Sequence, residues 1–94
     1  MTAQEIILSG KGTLIDVREE MELITEGSVP NAIHIPLDEV EDRIEEIEQL
    51  EKPLVIFCRS GNRSGKAIDF LESEGISDLY NGMGFRDVLA ILYK

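Results

Sequence analysis

The chain has 94 residues, which fits one domain over residues 1–94, because typical domains hold about 100–150 residues. Its single cysteine excludes an intramolecular disulfide, and its longest apolar run, residues 54–58, is far shorter than a membrane span of roughly 18 residues. The net charge of −10 argues against nucleic acid or an anionic membrane as the main partner, and a reducing, cytoplasmic location fits best.

The N-terminal third alternates between helical and extended patterns. Thr2 and Glu5 form a capping-box pattern, in which each side chain can bond to the other residue's backbone N–H. A short helix should follow and end at Gly10. The elements predicted next are a strand over residues 14–17, a short helix over 19–26 and a strand over 32–35 between two prolines.

The longest predicted helix is the acidic segment over residues 38–50, with Asp38 as its N-terminal cap. One apolar stripe with spacings of four and three supports it: Val40, Ile44, Ile47 and Leu50. Residues 19–51 carry twelve acidic side chains against one basic one. Most of these acidic residues are interpreted as a solvated helix face.

The C-terminal half begins with residues 54–58, which are apolar at consecutive positions, as in a strand buried on both faces. The elements predicted after it are a helix from about 64 to 75, a short strand over 78–80, a turn over 81–84 and a helix over 85–92. Strands that alternate with helices predict an α/β fold, a small and mainly parallel sheet flanked by helices on both faces.

Cys58 lies at the carboxyl end of the most apolar strand, where parallel sheets bind their ligands. The segment after it is polar and contains Gly61, which can adopt a positive φ and let the backbone curl into a ring of inward-facing N–H groups. Such a ring, a following helix and nearby arginines would lower the pKa of the thiol to about 3.5–7.5 and create a nucleophilic thiolate. The competing interpretation is an inert core cysteine.

The segment from Cys58 to Ser64 (CRSGNRS) resembles the active-site loop of rhodanese-like sulfurtransferases. Three other segments resemble that family in the same order: residues 14–18 (LIDVR), 27–36 (GSVPNAIHIP) and 81–84 (NGMG). The resemblance covers about residues 13–92 and implies a rhodanese-like fold. Phe85 stands where many members have Trp.

The resemblance also implies a ping-pong sulfur transfer through a persulfide on Cys58. The backbone amides of residues 59–64 would cradle the transferred sulfur or the incoming anion, and the residues implied are Arg59, Ser60, Gly61, Asn62, Arg63 and Ser64. Arg59 and Arg63 would bind a small sulfur-containing anion such as thiosulfate as donor. Cyanide, a small thiol or a partner protein would be the acceptor, and no cofactor is needed.

Two rival functions share this loop. Because the chain has no second cysteine, it could be a persulfide carrier or regulatory domain without turnover of its own. A cysteine-dependent phosphatase or arsenate reductase is less favoured, because phosphatases of this fold place five residues between Cys and Arg. Cys58 and Arg63 enclose four.

The remaining candidate residues are interpreted as structural. Asp16 and Arg18 should form an ion pair that braces the loops, with Glu22 as a further possible partner of Arg18. His34, the only histidine, should face the side of the sheet away from the loop. One histidine and one cysteine cannot form a structural zinc site, so no metal is expected.

Overall fold

The computed structural model describes residues 1–93, in which four strands alternate with five α-helices and one 3-10 turn. The strands are β1 (Thr13–Asp16), β2 (Ile33–His34), β3 (Leu54–Cys58) and β4 (Leu79–Gly84). The helices are α1 (Ala3–Ser9), α2 (Glu20–Glu26), α3 (Ile44–Glu48), α4 (Asn62–Ser73) and α5 (Phe85–Leu92), with the 3-10 turn at Leu37–Glu39. The capping box of Thr2 and Glu5 begins α1 as predicted. Within residues 1–93, no helix is both long and apolar enough to cross a membrane.

The four strands are all parallel and lie in the order β2-β1-β3-β4. Every residue of β3 is buried, and its bounds match the prediction. Because alternate residues of a strand face opposite sides, β3 contributes to two cores. One core joins its even-numbered residues to α3 and α4: Leu54, Ile56, Cys58, Ile47, Ala67 and Leu71. The other joins its odd-numbered residues to α1 and α5: Val55, Phe57, Ile6, Ile7, Phe85 and Val88. The prediction of helices on both faces is confirmed.

The predicted acidic helix over residues 38–50 is wrong in extent. The chain forms the 3-10 turn, then a turn, and only five residues of α-helix in α3, and Asp38 caps no helix. Val40 and Ile47 are buried, so the apolar stripe was identified correctly. Like charges four residues apart at Asp38/Asp42 and Glu41/Glu45 disfavour a continuous helix.

The predicted turn over residues 81–84 is also wrong, because these residues belong to β4. The strand pairs with β3 along its length, and one extra residue, Gly82, is accommodated by a bulge between the pairs Ile56–Asn81 and Phe57–Met83. A Cβ on Gly82 would lie 2.8 Å from Val55 Cγ1. Glycine is therefore required here by the close approach of β4 to its neighbour and not by a turn.

Candidate active site

The candidate site is the short connection between β3 and α4. Cys58 is the last residue of β3, and α4 begins at Asn62, two residues earlier than predicted. Gly61 precedes the helix with a left-handed φ of 102°. A Cβ at this position would lie 2.8 Å from Met83 Cε, so the sharp turn and the covering side chain of β4 both require glycine.

The sulfur of Cys58 lies inside this turn and receives backbone hydrogen bonds. The amide of Gly61 donates to Sγ at 3.0 Å and the amide of Ser64 at 3.4 Å, while the Ser64 hydroxyl lies 3.5 Å from Sγ. The residue is 1% exposed. The first turn of a twelve-residue helix adds its positive dipole end at the same point. The arrangement is an anion-binding nest with the sulfur as its occupant.

These contacts affect the ionisation of Cys58 in opposite directions. Burial raises the pKa of the thiol and is the largest single influence. The Ser64 hydroxyl favours the thiolate when it donates to the sulfur, as do the amides of Ser64, Ser60 and Gly61, and together these hydrogen bonds lower the pKa of Cys58 below its ordinary value. A thiol with a lowered pKa is a better nucleophile at neutral pH because more of it is ionised.

Both arginines of the loop contact carboxylates of α2. The guanidinium of Arg63 makes two parallel bonds to Glu22, Nη1–Oε2 at 2.6 Å and Nη2–Oε1 at 2.8 Å. These bonds lower the pKa of Glu22 to about 2 and raise that of Arg63. The Nε atom of Arg59 lies 3.5 Å from Glu26 Oε1. Glu22 is therefore the partner of Arg63, and its expected pairing with Arg18 is wrong.

Asn81 of β4 is a contact of this loop that the sequence analysis did not identify. Its Oδ1 accepts the hydroxyl proton of Ser64 at 2.7 Å, and its Nδ2 donates to the carbonyl of Gly61 at 3.0 Å. The sequence predicts a turn over residues 81–84, and a turn does not place this side chain beside Cys58. Asn81 pairs in register with Ile56, whose side chain lies on the same face of the sheet as Cys58, and this register places Asn81 beside the loop.

The other residues predicted for the loop present no buried side chain. Arg59, Ser60 and Asn62 are exposed, and Asn62 is the first residue of α4. Ser60 contributes to the site through its backbone amide. Of the six residues that follow Cys58, Ser64 alone has a fully buried side chain against the sulfur.

Asp16 and Arg18 form a buried ion pair on the other face of the sheet. Arg18 Nη2 lies 2.7 Å from Asp16 Oδ2 and also donates to the carbonyl of Gly27 at 2.9 Å. The guanidinium lies 3.9 Å from the ring centroid of Phe85, the residue at the family's Trp position. Asp16 pairs in register with Phe57, so the ion pair and Cys58 face opposite sides.

His34 also lies on the face away from the loop, as expected, since it pairs in register with Asp16. Its Nε2 is 2.6 Å from the carbonyl oxygen of Arg18. Among residues 1–93, the structure contains no group of three or more His, Cys, Asp or Glu side chains that could hold a metal ion.

Comparison with known proteins places the chain in a family. A model of the rhodanese-like domain matches residues 2–92. The chain is 35% identical over 68 residues to thiosulfate sulfurtransferase GlpE of Pseudomonas syringae, covering 72% of this chain and 62% of GlpE. The chain spans 57% to 64% of the length of GlpE and of three other curated relatives that it matches.

Two solved structures resemble nearly the whole chain. The reduced CoADR-RHD protein of Bacillus anthracis is 37% identical with a TM-score of 0.77, covering 97% of this chain and 16% of that protein. The human single-domain sulfurtransferase TSTD1 is 29% identical with a TM-score of 0.70, covering 93% and 88%. The fold, the loop and the family match agree, and the chain belongs to the rhodanese-like domain family.

Proposed function

We propose that the protein is a sulfurtransferase that carries sulfane sulfur as a persulfide on Cys58. The observation that supports this most directly is the position of Sγ within hydrogen-bond distance of the amides of Gly61 and Ser64, at the start of α4. Neutral N–H donors stabilise a thiolate through hydrogen bonds, and no covalent bond to the sulfur has to break when it reacts. The sulfurtransferase names of GlpE and TSTD1 are consistent with this chemistry.

The donor proposed is a small sulfur-containing anion such as thiosulfate. The Cys58 thiolate attacks the outer sulfur, the S–S bond of the donor breaks, and sulfite leaves with that bond's electron pair. The product on the protein is a persulfide anion, whose terminal sulfur carries the charge. Amides aimed into the turn can stabilise that charge at every stage of the transfer.

The acceptor completes the cycle and comes from outside the chain. Cyanide, or a small or protein thiol, attacks the terminal sulfur and releases the Cys58 thiolate. With a cyanide acceptor the product is thiocyanate, and electrons and charge balance without an oxidant or reductant. Because Cys58 is the only cysteine, no internal thiol can resolve the persulfide.

Intact mass spectrometry tests the proposal directly. Incubation with thiosulfate should add the mass of one sulfur atom, and cyanide should then remove it. Cys58→Ser should accept no sulfur, because an alcohol at neutral pH is not ionised and cannot form the persulfide. Sulfur uptake that persists in Cys58→Ser would contradict the proposal.

We also propose that Arg63 binds the donor, with Glu22 as its partner when no anion is present. Arg63→Ala should raise the KM for thiosulfate more than it changes the thermal midpoint. Arg43→Ala is the matched control, since Arg43 also pairs with glutamates, Glu39 and Glu46, and within residues 1–93 makes no ion pair with the loop. A lower thermal midpoint with an unchanged KM would show that Arg63 is only structural.

A persulfide carrier is the second candidate, and the single cysteine favours it. A carrier would use the same site as the enzyme and would differ from it only in having no turnover of its own. A persulfide that forms with thiosulfate but remains in excess cyanide and excess thiol would identify a carrier whose acceptor is a protein. Hydrolysis of an aryl phosphate faster than sulfur transfer would instead favour the phosphatase.

A further inference from the structure

The hydroxyl of Ser64 lies between two atoms that could accept its proton. The Cys58 sulfur is 3.5 Å away and Asn81 Oδ1 is 2.7 Å away. A serine hydroxyl carries one proton and can donate only one full hydrogen bond. Which of the two atoms receives that proton decides whether Ser64 stabilises the thiolate or the thiol of Cys58.

The side-chain amide of Asn81 is oriented by two backbone groups. Its nitrogen donates to the carbonyl of Gly61 at 3.0 Å, and its oxygen accepts from the amide of Met83 at 2.9 Å. A carbonyl can only accept and a backbone amide can only donate, so the opposite orientation would lose both bonds. The atom that faces Ser64 is therefore the oxygen, which can only accept.

We propose that Asn81 is a positioning residue that holds the Ser64 hydroxyl proton on its own side-chain oxygen, away from the Cys58 sulfur. The inference rests on the proposed function, in which that sulfur is the nucleophile. With the proton on Asn81, the Ser64 oxygen presents lone pairs to Sγ and can accept from an S–H group. Ser64 then favours the neutral thiol, and the backbone amides alone favour the thiolate.

The chemical consequence is a moderated thiolate. The intrinsic nucleophilicity of a thiolate falls as its pKa falls, and the best attacking thiols have a pKa near ambient pH. A hydroxyl donor added to the amides of Gly61 and Ser64 would stabilise the thiolate further and weaken it as a nucleophile. Asn81 prevents this by competing for the same proton.

Other charged groups around the sulfur do not account for the influence of Ser64 and Asn81 on the ionisation of Cys58. The charged side chains of the loop, of α2 with its cap, of the 3-10 turn and of α4 are Arg59, Arg63, Glu19, Glu20, Glu22, Glu26, Asp38, Glu39, Lys66, Asp69 and Glu72. Arg63 is neutralised by Glu22, and Asp38 and Glu39 are exposed on the 3-10 turn. The only titratable side chain of β4, Tyr80, pairs in register with Val55 on the other face. Substitutions of Ser64 and Asn81 leave all these charges unchanged.

The test is the pH dependence of Cys58 alkylation by iodoacetamide, which reports thiolate formation without any sulfur transfer. Ser64→Ala should leave the alkylation pKa unchanged or lower it, because the lost hydroxyl accepts from the thiol. Asn81→Ala should lower the pKa by about one unit, because the released hydroxyl can donate to the charged sulfur. In Ser64→Ala/Asn81→Ala, the second substitution should produce no further downward shift.

A rise of the alkylation pKa in Ser64→Ala would show that the hydroxyl donates to the sulfur and would overturn the proposal, even if Asn81→Ala fails to fold. An unchanged or raised pKa in Asn81→Ala would overturn it as well, since the released proton would then not reach the sulfur. Neither result bears on whether Cys58 accepts sulfur from thiosulfate. Failure of this proposal and failure of the proposed function are therefore distinguishable.

Discussion

The two faces of the sheet each hold a buried ionisable group, and the surroundings stabilise the charged form of each group differently. Below one face, Arg18 is fully buried and balanced by Asp16 at 2.7 Å. On the other, the Cys58 sulfur is surrounded by neutral amides, the nearest at 3.0 Å. A counter-ion fixes a charge in place, whereas dipoles stabilise it and leave its lone pairs available. The first arrangement suits a structural brace and the second suits a nucleophile.

Removal of the counter-ion should produce the largest effect on stability. Asp16→Ala leaves the Arg18 guanidinium buried without an opposite charge, which should cost about 3–5 kcal/mol of unfolding free energy in urea titrations. Glu46→Ala is the control, because it removes an exposed partner of Arg43 and should cost less than about 1 kcal/mol. Equal effects of the two substitutions would contradict the view that Asp16 braces the fold.

The double substitution Asp16→Leu/Arg18→Met sharpens this prediction. It removes both charges and leaves apolar side chains, so it should be less destabilising than Asp16→Ala alone. If the double variant is the less stable one, the bonds of Arg18 to Gly27 and Phe85 contribute more than the ion pair.

Disruption of the amide ring should have the next largest effect. Gly61→Ala introduces a Cβ where φ is 102° and where Met83 Cε would lie at 2.8 Å. We expect the free energy of unfolding to fall by about 1–3 kcal/mol. The rate of Cys58 alkylation at pH 7 should also fall, because the Gly61 amide moves away from the sulfur. Gly75→Ala is the matched control, with a φ of 86° but open space around its Cβ. It should lower stability without changing the alkylation rate.

The smallest effect is expected at the contact between Arg63 and Glu22. Glu22→Gln removes the carboxylate that competes with an anionic donor, so the KM for thiosulfate should fall about fivefold, which corresponds to about 1 kcal/mol. Glu46→Gln, at the ion pair with Arg43, should leave the KM unchanged. A higher KM in Glu22→Gln would mean that Glu22 orients Arg63 for the donor and does not compete with it.

The same pair predicts a pH dependence of stability. The pKa of Glu22 is about 2 in the fold and 4.5 as its ordinary value, so its contribution is complete above about pH 4.5. It is lost as the pH falls from about 4.5 to about 2, when the carboxylate becomes protonated. We expect the loss to be about 1–2 kcal/mol, since Glu22 is partly exposed. Glu22→Gln should lack this portion of the acid transition in urea titrations at successive pH values.

Local patterns predicted the parts of the fold that depend on local physics. The capping box at Thr2, the apolar strand β3 and the amphipathic helix α5 each follow from neighbouring residues alone. The turn of Gly61 and its placement after Cys58 follow from the same kind of information. The helix predicted over residues 38–50 was wrong in extent because an apolar stripe indicates only which residues are buried. It does not indicate whether like charges interrupt the helix between them.

The contacts between distant segments could not be predicted. The pairing of Arg63 with Glu22 joins residues 41 positions apart, and that of Ser64 with Asn81 joins residues 17 positions apart. Both depend on which strand lies beside β3 and at what register. The pairing of Asn81 with Ile56 sets the second contact, and no rule of local sequence gives that register or the position of the bulge that follows it at Gly82.

The side chain of Met83 over Gly61 has a consequence for the newly synthesised protein. The chain emerges from the ribosome with Cys58 well ahead of Asn81 and Met83, which hold the turn from the far side. Until β4 has docked, Gly61 and Ser64 lack their contacts with Met83 and Asn81. We therefore expect the turn around Cys58 to reach its final shape only once the last strand is in place, since Asn81 and Met83 contact it from that strand.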